Sequence, residues 1–404
     1  MDNRMKLVTH AGLDVHKHFS RISGMDASGK VIFRQRLEHA DRAALRSELS
    51  SWPRSLPVVL EGTFGWGWMT DDLLSSGLQP HLTSARKTHA WRQSRSQAKN
   101  NRLDADHLAA LWLERDKSWW HVWLAPPVVR AQREWLRYRK GLVETQTRCK
   151  NRVHAVLHRH GVIQPFSDLF GKQGRILLKE IMQATDARVS ASGKAELSGS
   201  LAVIDQHRRL IAQVTRQWKR EMCQNQETKI WKSLPGVGWV LACTIQAEVG
   251  DIGRFKNAGC LSMYAMLAPR DDDSGDEDPE AVPTGRRVSA IGRKTLRWAF
   301  QQAALSAVNK SRELRDLFNR ITDQGKRQRM KGYVAVAHRL CTIGYSCVKQ
   351  NRLYSEVPPA RNRGAADNLK KTHSEAGGPA WAMVAAGPQG QASDPNLNEA
   401  ARTG

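Results

Sequence analysis

The segment Ala11 to Gly24, AGLDVHKHFSRISG, is the strongest constraint in the chain, because it sets a carboxylate at the end of a short apolar run and follows it with polar side chains at alternate positions. Residues two apart share one face of an extended strand, so Asp14, His16 and His18 point one way and Val15, Lys17 and Phe19 the other. Two later segments repeat the pattern of an acid near the end of a regular element. PVVLEGT, Pro57 to Thr63, reads as a buried strand ending in Glu61, and KNNRLDADHLAALW, Lys99 to Trp112, opens a helical pattern carrying Asp104 and Asp106. Acids converging from three such elements form a candidate divalent-cation cluster.

The surrounding elements order themselves around these acids. Leu7 to Val15, Phe19 to Met25 and Val31 to Leu37 read as three strands, with Asp26 to Gly29 as hairpin chemistry. A helix near Asp41 to Leu49, the strand ending at Glu61, a helix over Trp66 to Leu74, a strand near Pro80 to Thr83 and a helix from about Arg102 follow. That is the order of a ribonuclease-H-like α/β domain, predicted over residues 1–118, although a generic mixed α/β domain shares much of it. Over residues 119–230 the texture becomes long and helical. Trp135, Leu136, Leu142, Val143, Val153, Val156 and Leu157 recur at helical steps, as do Leu201, Ile204, Leu210, Ile211, Val214 and Trp218. An antiparallel coiled-coil arm and a plain helical bundle with basic faces both fit.

A third, helical block spans residues 231–354. Pro235-Gly236-Val237-Gly238 between two helical patterns reads as a helix-hairpin-helix-like turn, in which Gly236 and Gly238 let backbone N–H groups approach a phosphate. Arg286, Arg287, Arg293, Lys294 and Arg297 follow it, and Lys17 in the first block is a further candidate phosphate contact. Residues 355–404, rich in Ala, Gly, Pro and Asn, have the composition of a disordered tail.

A formal net charge of +24 over 404 residues implies a polyanionic partner, with nucleic acid the first choice and an anionic membrane surface its competitor. No run of about 18 apolar residues occurs and the first residues lack the apolar core of a signal peptide, so the expected location is the cytoplasm. The six cysteines form no CxxC pair, which excludes zinc-ribbon and disulfide-scaffold classes. His16 and His18 make with Asp14 an incomplete transition-metal set and read as polar neighbours of the acid. Most of the fourteen tryptophans, Trp66, Trp68, Trp119 and Trp120 among them, read as core or interface anchors.

AGLDVHK, VVLEGT, KNNRLDADHLA, LPGVGWVLACTIQAEVGDIGRF, YAMLAPRDDDSG and GRRVSAIGRKTLRWAFQQAAL, in that order between about Val8 and Tyr354, resemble the IS110-type (DEDD) insertion-sequence transposases, a family related to the Piv DNA invertases. The resemblance implies a RuvC-like catalytic domain, a central coiled coil and a C-terminal transposase domain. It also implies Mg²⁺, with Mn²⁺ as a substitute, assembly on DNA as a homodimer or homotetramer, and an element-encoded structured guide RNA. Asp14, Glu61 and Asp104 match three of the family's four acids. Asn101 stands where the third acid belongs, one helical turn before Asp104, and supplies an oxygen without the charge.

Carboxylates are the ligands Mg²⁺ prefers, and paired metal ions about 4 Å apart activate a nucleophile and stabilise a leaving oxygen in phosphoryl transfer. The serine-glycine of the family motif falls on Ser274-Gly275, which makes Ser274 the candidate nucleophile for a covalent phosphoserine link to DNA. Taken alone, DDDSGDEDPE has the composition of a solvated acidic loop. The expected activity is transposition or site-specific recombination. A RuvC-like junction endonuclease using the acids alone, and a non-catalytic nucleic-acid-binding protein derived from a transposase, are the competing readings.

Overall fold

Six strands near the N-terminus, β1 (His10–Val15), β2 (Phe19–Met25), β3 (Val31–Glu38), β4 (Pro57–Glu61), β5 (Gln79–Thr83) and β6 (His121–Val122), pair into one mixed sheet in the order β3-β2-β1-β4-β5-β6. The structure is a computed structural model that describes residues 5–94, 104–163, 165, 167–183, 186–268 and 292–355. β1 runs antiparallel to β2 and parallel to β4, so the chain crosses over once beside its own first strand. This sheet is compatible with the ribonuclease-H-like arrangement. The two-residue β6, antiparallel to β5, is too short to show any periodicity in the sequence.

Helices cover both faces. α1 (Arg42–Ser50) and α2 (Trp66–Ser75) lie on one, where Leu45, Leu49, Met69 and Leu73 join Ala11, Leu13, Ile22, Val58 and Leu60 in a single cluster. α3 (Ala85–Ser94) and α4 (Asp104–Ala110) serve the other, where Trp91, Leu108, Leu111 and Trp120 close over Val59. Val58, Val59 and Leu60 are all fully buried because the central strand is covered on both sides, which is why VVL runs without alternation. Burying each such side chain contributes about 1.5–3 kcal/mol. Asp72, also buried, is neutralised from α1 by Arg42 and Arg46 at 2.7 and 2.9 Å.

The contact that fixes α4 is made at Gly12. A Cβ there would stand 2.1 Å from the Ala105 carbonyl oxygen and 2.2 Å from the Ala109 nitrogen, so the α4 backbone rests directly on β1.

Contacts divide the described residues into two compact units, one built on residues up to 125 with the short Gly253–Lys256 segment, the other on Pro126–Ile252 and the described residues of 257–355. The second unit is helical. α5 (Pro127–Arg159) and α7 (Ala191–Met222) are each about 50 Å long and antiparallel, with α6 (Lys172–Ile181) beside them. Leu136 and Leu142 pack near Val214, Trp218 and Met222, and Cys149, Val153, Val156 and Leu157 near Leu197, Leu201 and Ile204. The remaining helices are α8 (Gln226–Ser233), α9 (Trp239–Val249), α10 (Ala258–Tyr264), α11 (Lys294–Lys310), α12 (Arg312–Thr322) and α13 (Arg329–Lys349). Among the described residues no helix is long and apolar enough to cross a membrane.

Gly12→Ala sets backbone against backbone, which no rotamer change relieves. The expected cost is about 3 kcal/mol, the upper end of ordinary overpacking, read as a lowered midpoint in denaturant. An unchanged midpoint would mean that α4 does not rest on β1.

Candidate active site

β1 and β4 are parallel neighbours with Gly12 opposite Val59 and Leu13 opposite Leu60, so the next positions along are Asp14 and Glu61. Alternation along the strands puts both on the face that carries Gly12 and Val59, the face under α4. Asp104 is the first described residue of α4 and comes down over the same strand ends. The three acids sense one another. Burial raises the Asp14 carboxyl above its usual range, His16 opposes that shift, and Asp104 adds to it. Burial likewise raises Glu61; a hydrogen bond from Thr88 and the charge of Arg92 pull it back, while Asp14 and Asp104 push it further up.

Arg92 on α3 is the cation that balances this group. Its Nη1 donates to Asp104 Oδ1 at 2.6 Å, with both side chains more than four-fifths buried. Among the described residues, no three acid, histidine or cysteine side chains are already drawn together as a metal-ligand set. Asp14 Oδ2 is buried without a hydrogen-bond partner, and His16 Nε2 stands 3.0 Å from it without hydrogen-bond geometry. A buried carboxylate oxygen with an imidazole 3.0 Å away and two further acids beside it fits a hard divalent cation, which takes oxygen ligands.

The other candidate residues are dispersed. Lys17 lies exposed in the three-residue connection between β1 and β2. Gly236 has φ +78°, and a Cβ there would meet the Ala303 carbonyl oxygen of α11 at 2.2 Å, so helix packing demands this glycine; Gly238, at the N-cap of α9, has open space around it. Arg293 Nε donates to the buried Glu248 at 2.9 Å, whereas Lys294 is exposed and Arg297 half-exposed. Asn101, Ser274, Arg286 and Arg287 lie outside the described residues. Nothing in the sequence singles out Arg92 or Thr88. Arg92 sits in a stretch crowded with Lys and Arg, where no spacing separates it from its neighbours. Asp106, on the far side of α4 from the acids' centre, forms a bidentate pair with Arg34 of β3.

A DEDD-type IS110 transposase family model matches residues 11–161, and a second, described as the transposase IS116/IS110/IS902 family, matches residues 228–319. The chain belongs to the IS110-type transposase family. It is 24% identical over 276 residues to the transposase for insertion sequence element IS1111A of Coxiella burnetii, a match covering 68% of this chain and 72% of that one. It is 30% identical over 131 residues to an uncharacterized 44.8 kDa protein of insertion element IS116 from Streptomyces clavuligerus, covering 32% and 31%. A pilin gene-inverting protein of Moraxella bovis is 26% identical over 133 residues, covering 33% of this chain and 40% of that protein. The matches to these last two thus span less than half of either relative.

Asp14 holds its proton to higher pH in the folded chain than in the unfolded one. As pH rises through about 4, the unfolded chain ionises first and stability falls, until the raised folded value is passed and the loss is complete. Asp14→Asn abolishes that loss. In metal-free buffer the variant should therefore unfold at a higher temperature than the parent at neutral pH, with the gap closing toward pH 4. A parent chain at least as stable as the variant at neutral pH would show that the carboxylate is not strained by burial.

Proposed function

We propose that this transposase cuts and rejoins DNA with a divalent cation held by Asp14, Glu61 and Asp104, aided by the Asn101 oxygen, and with Ser274 as the nucleophile. The observation that supports it most is the pairing of Asp14 and Glu61 on adjacent parallel strands beneath Asp104, with burial and the Asp104 charge both raising the proton affinity of Asp14 and of Glu61. Mg²⁺, or Mn²⁺ in its place, would supply Lewis acidity to the phosphoryl oxygens there. Asp104, paired with Arg92 in the structure, would hold the cation together with Asp14 and Glu61, and the Arg92 guanidinium beside them is able to face a phosphate.

In the proposed chemistry the Ser274 hydroxyl loses its proton to water as its Oγ forms a bond to phosphorus, the bond from phosphorus to the leaving deoxyribose oxygen breaks, and that oxygen takes a proton from water and departs as a hydroxyl. The phosphodiester energy is kept in the phosphoserine link, and attack by a new hydroxyl reverses the step and rejoins the strand. Hydrolysis by the acids alone would leave an open end. Gly238 at the start of α9, Lys17, Lys294, Arg297 and the Arg286-Arg287 pair are proposed contacts to the sugar-phosphate backbone, a role that carries no sequence information. Target and donor choice would then come from an element-encoded structured guide RNA. Because two duplexes must be held for exchange, a homodimer or homotetramer is the proposed assembly, with α5 and α7 as a coiled-coil arm available to pair protomers.

Incubation of the full chain with Mg²⁺, RNA transcribed from its flanking DNA and labelled duplex from the element ends, followed by denaturing quench and mass spectrometry, tests the scheme. A DNA adduct on Ser274 is expected, absent from Ser274→Ala and lost on chelation or in Asp14→Ala. Recombination by Ser274→Ala would remove the serine from the mechanism, and cleavage without any adduct would favour a hydrolytic nuclease.

A further inference from the structure

The face of the sheet that carries Asp14 continues outward, away from Glu61, onto β2 and β3. Asp14 is the cross-strand partner of Arg21, Arg21 of Arg36, and Ser23 of Arg34, so one row of the sheet reads Asp14, Arg21, Arg36 from the acid to the edge. All these side chains share the α4 face, because directly paired residues point the same way. Ile22 and Leu37, one step along, point into the opposite core. Three guanidinium groups thus stand on a surface that begins at the acid.

The row is open and its side chains are set in place. An open cleft of about 160 Å³ runs between β2, β3 and α4, bounded by Arg21, Ser23, Arg34, Arg36 and Asp106. Arg34 and Arg36 are more than half exposed. Asp106 grips Arg34 through Nε and Nη2 at 2.7 to 3.1 Å, which engages one edge of the fork and leaves the Nη1 protons pointing away from it. The guanidinium of Arg36 lies over the Phe19 ring, 3.9 Å from its centroid, and makes an exposed ion pair with Glu38 of the kind that contributes little in water. Arg21 has no acid within ion-pair distance among the described residues, although its charge reaches Asp14 and lowers that group's proton affinity. Arg34 and Arg36 are two residues apart on one strand, about 7 Å, comparable to the step between successive phosphates on a nucleic-acid strand.

We propose that Arg21, Arg34 and Arg36 form a phosphate-binding strip that holds the backbone of one nucleic-acid strand on its way to the acids, with Asp106 as the positioning residue for Arg34. The strip deepens the recombinase reading, on which its connection to the acids rests. It also explains why the chain carries a second acid two residues after Asp104 that the acid site does not use.

The test is binding by the full chain in EDTA, which separates the strip from metal chemistry. Fluorescence anisotropy over a KCl series with labelled duplex DNA, single-stranded DNA and RNA of one sequence gives the slope of log affinity against log salt. Each lost phosphate contact lowers that slope by about 0.7 on a single strand and about 0.9 on duplex. The triple variant Arg21→Gln/Arg34→Gln/Arg36→Gln should lose about 2 from the slope on at least one probe, and the probe affected identifies the strand as DNA or RNA. Arg54→Gln, an exposed arginine before the opposite end of β4, should keep the parent slope. Asp106→Asn removes a negative charge yet should weaken binding, since it frees Arg34; tighter binding by this variant would overturn the positioning role. A triple variant that keeps the parent unfolding temperature and the parent slope on every probe would overturn the strip. Failure of the Ser274 adduct with the slope loss intact would instead overturn the recombinase reading and leave the phosphate site standing.

Discussion

The N-terminal unit depends on one close approach, the α4 backbone lying on β1 at Gly12. With any side chain there α4 would have to lift, and Asp104 at its first turn would leave the ends of β1 and β4. The same seating brings Asp106 to Arg34 and lets Leu108 close over Val59 with Trp91 and Trp120. Packing, an acid cluster and a fixed arginine on the neighbouring strands therefore share a single steric requirement. The parallel pairing of β1 with β4 supplies the rest, since it sets Asp14 beside Glu61 without any contribution from a loop.

The acids gathered in this way are costly to hold without a partner for their charge. Burial and mutual repulsion raise the proton affinity of Asp14 and Glu61, and Arg92 relieves part of the repulsion by engaging Asp104. Electrostatic strain of this kind at a site that binds a cation or phosphate is a common trade of stability for function. In the helical unit, by contrast, buried charge is matched. Glu248 on α9 meets Arg293 at 2.9 Å, and Arg133 donates to the carbonyls of Ala247 and Glu248, so the end of α9 is tied to α5 and to the start of α11.

Asp14 and Glu61 were legible in the sequence because an acid closing an apolar run is a local signal, and strand ends on one side of an α/β sheet meet. The three antiparallel strands were legible from short runs of strand-forming residues joined by tight turns, and the long helices from Pro127 and Ala191 because each writes its period into some thirty residues. Arg92, Thr88 and the Arg34 to Asp106 pair were not, since they are cross-element contacts between residue types abundant throughout a basic chain. Gly12 is instructive in another way. It reads as part of AGLDVHK, and only the structure reveals that its missing Cβ makes room for α4. Gly236, read as a phosphate-facing glycine, has a second reason to be glycine in its approach to Ala303.

Strand pairing and the seating of α4 bring Asp14, Glu61 and Asp104 to one end of the sheet, where the proposed divalent-cation site can be probed directly. Titration of the full chain with Mn²⁺, followed by electron paramagnetic resonance of the free ion, measures it without reference to DNA. Saturable Mn²⁺ binding is expected, competed away by Mg²⁺ and abolished by Asp14→Asn and by Glu61→Gln. Binding of equal strength in both variants, or no saturable binding by the parent chain, would contradict it.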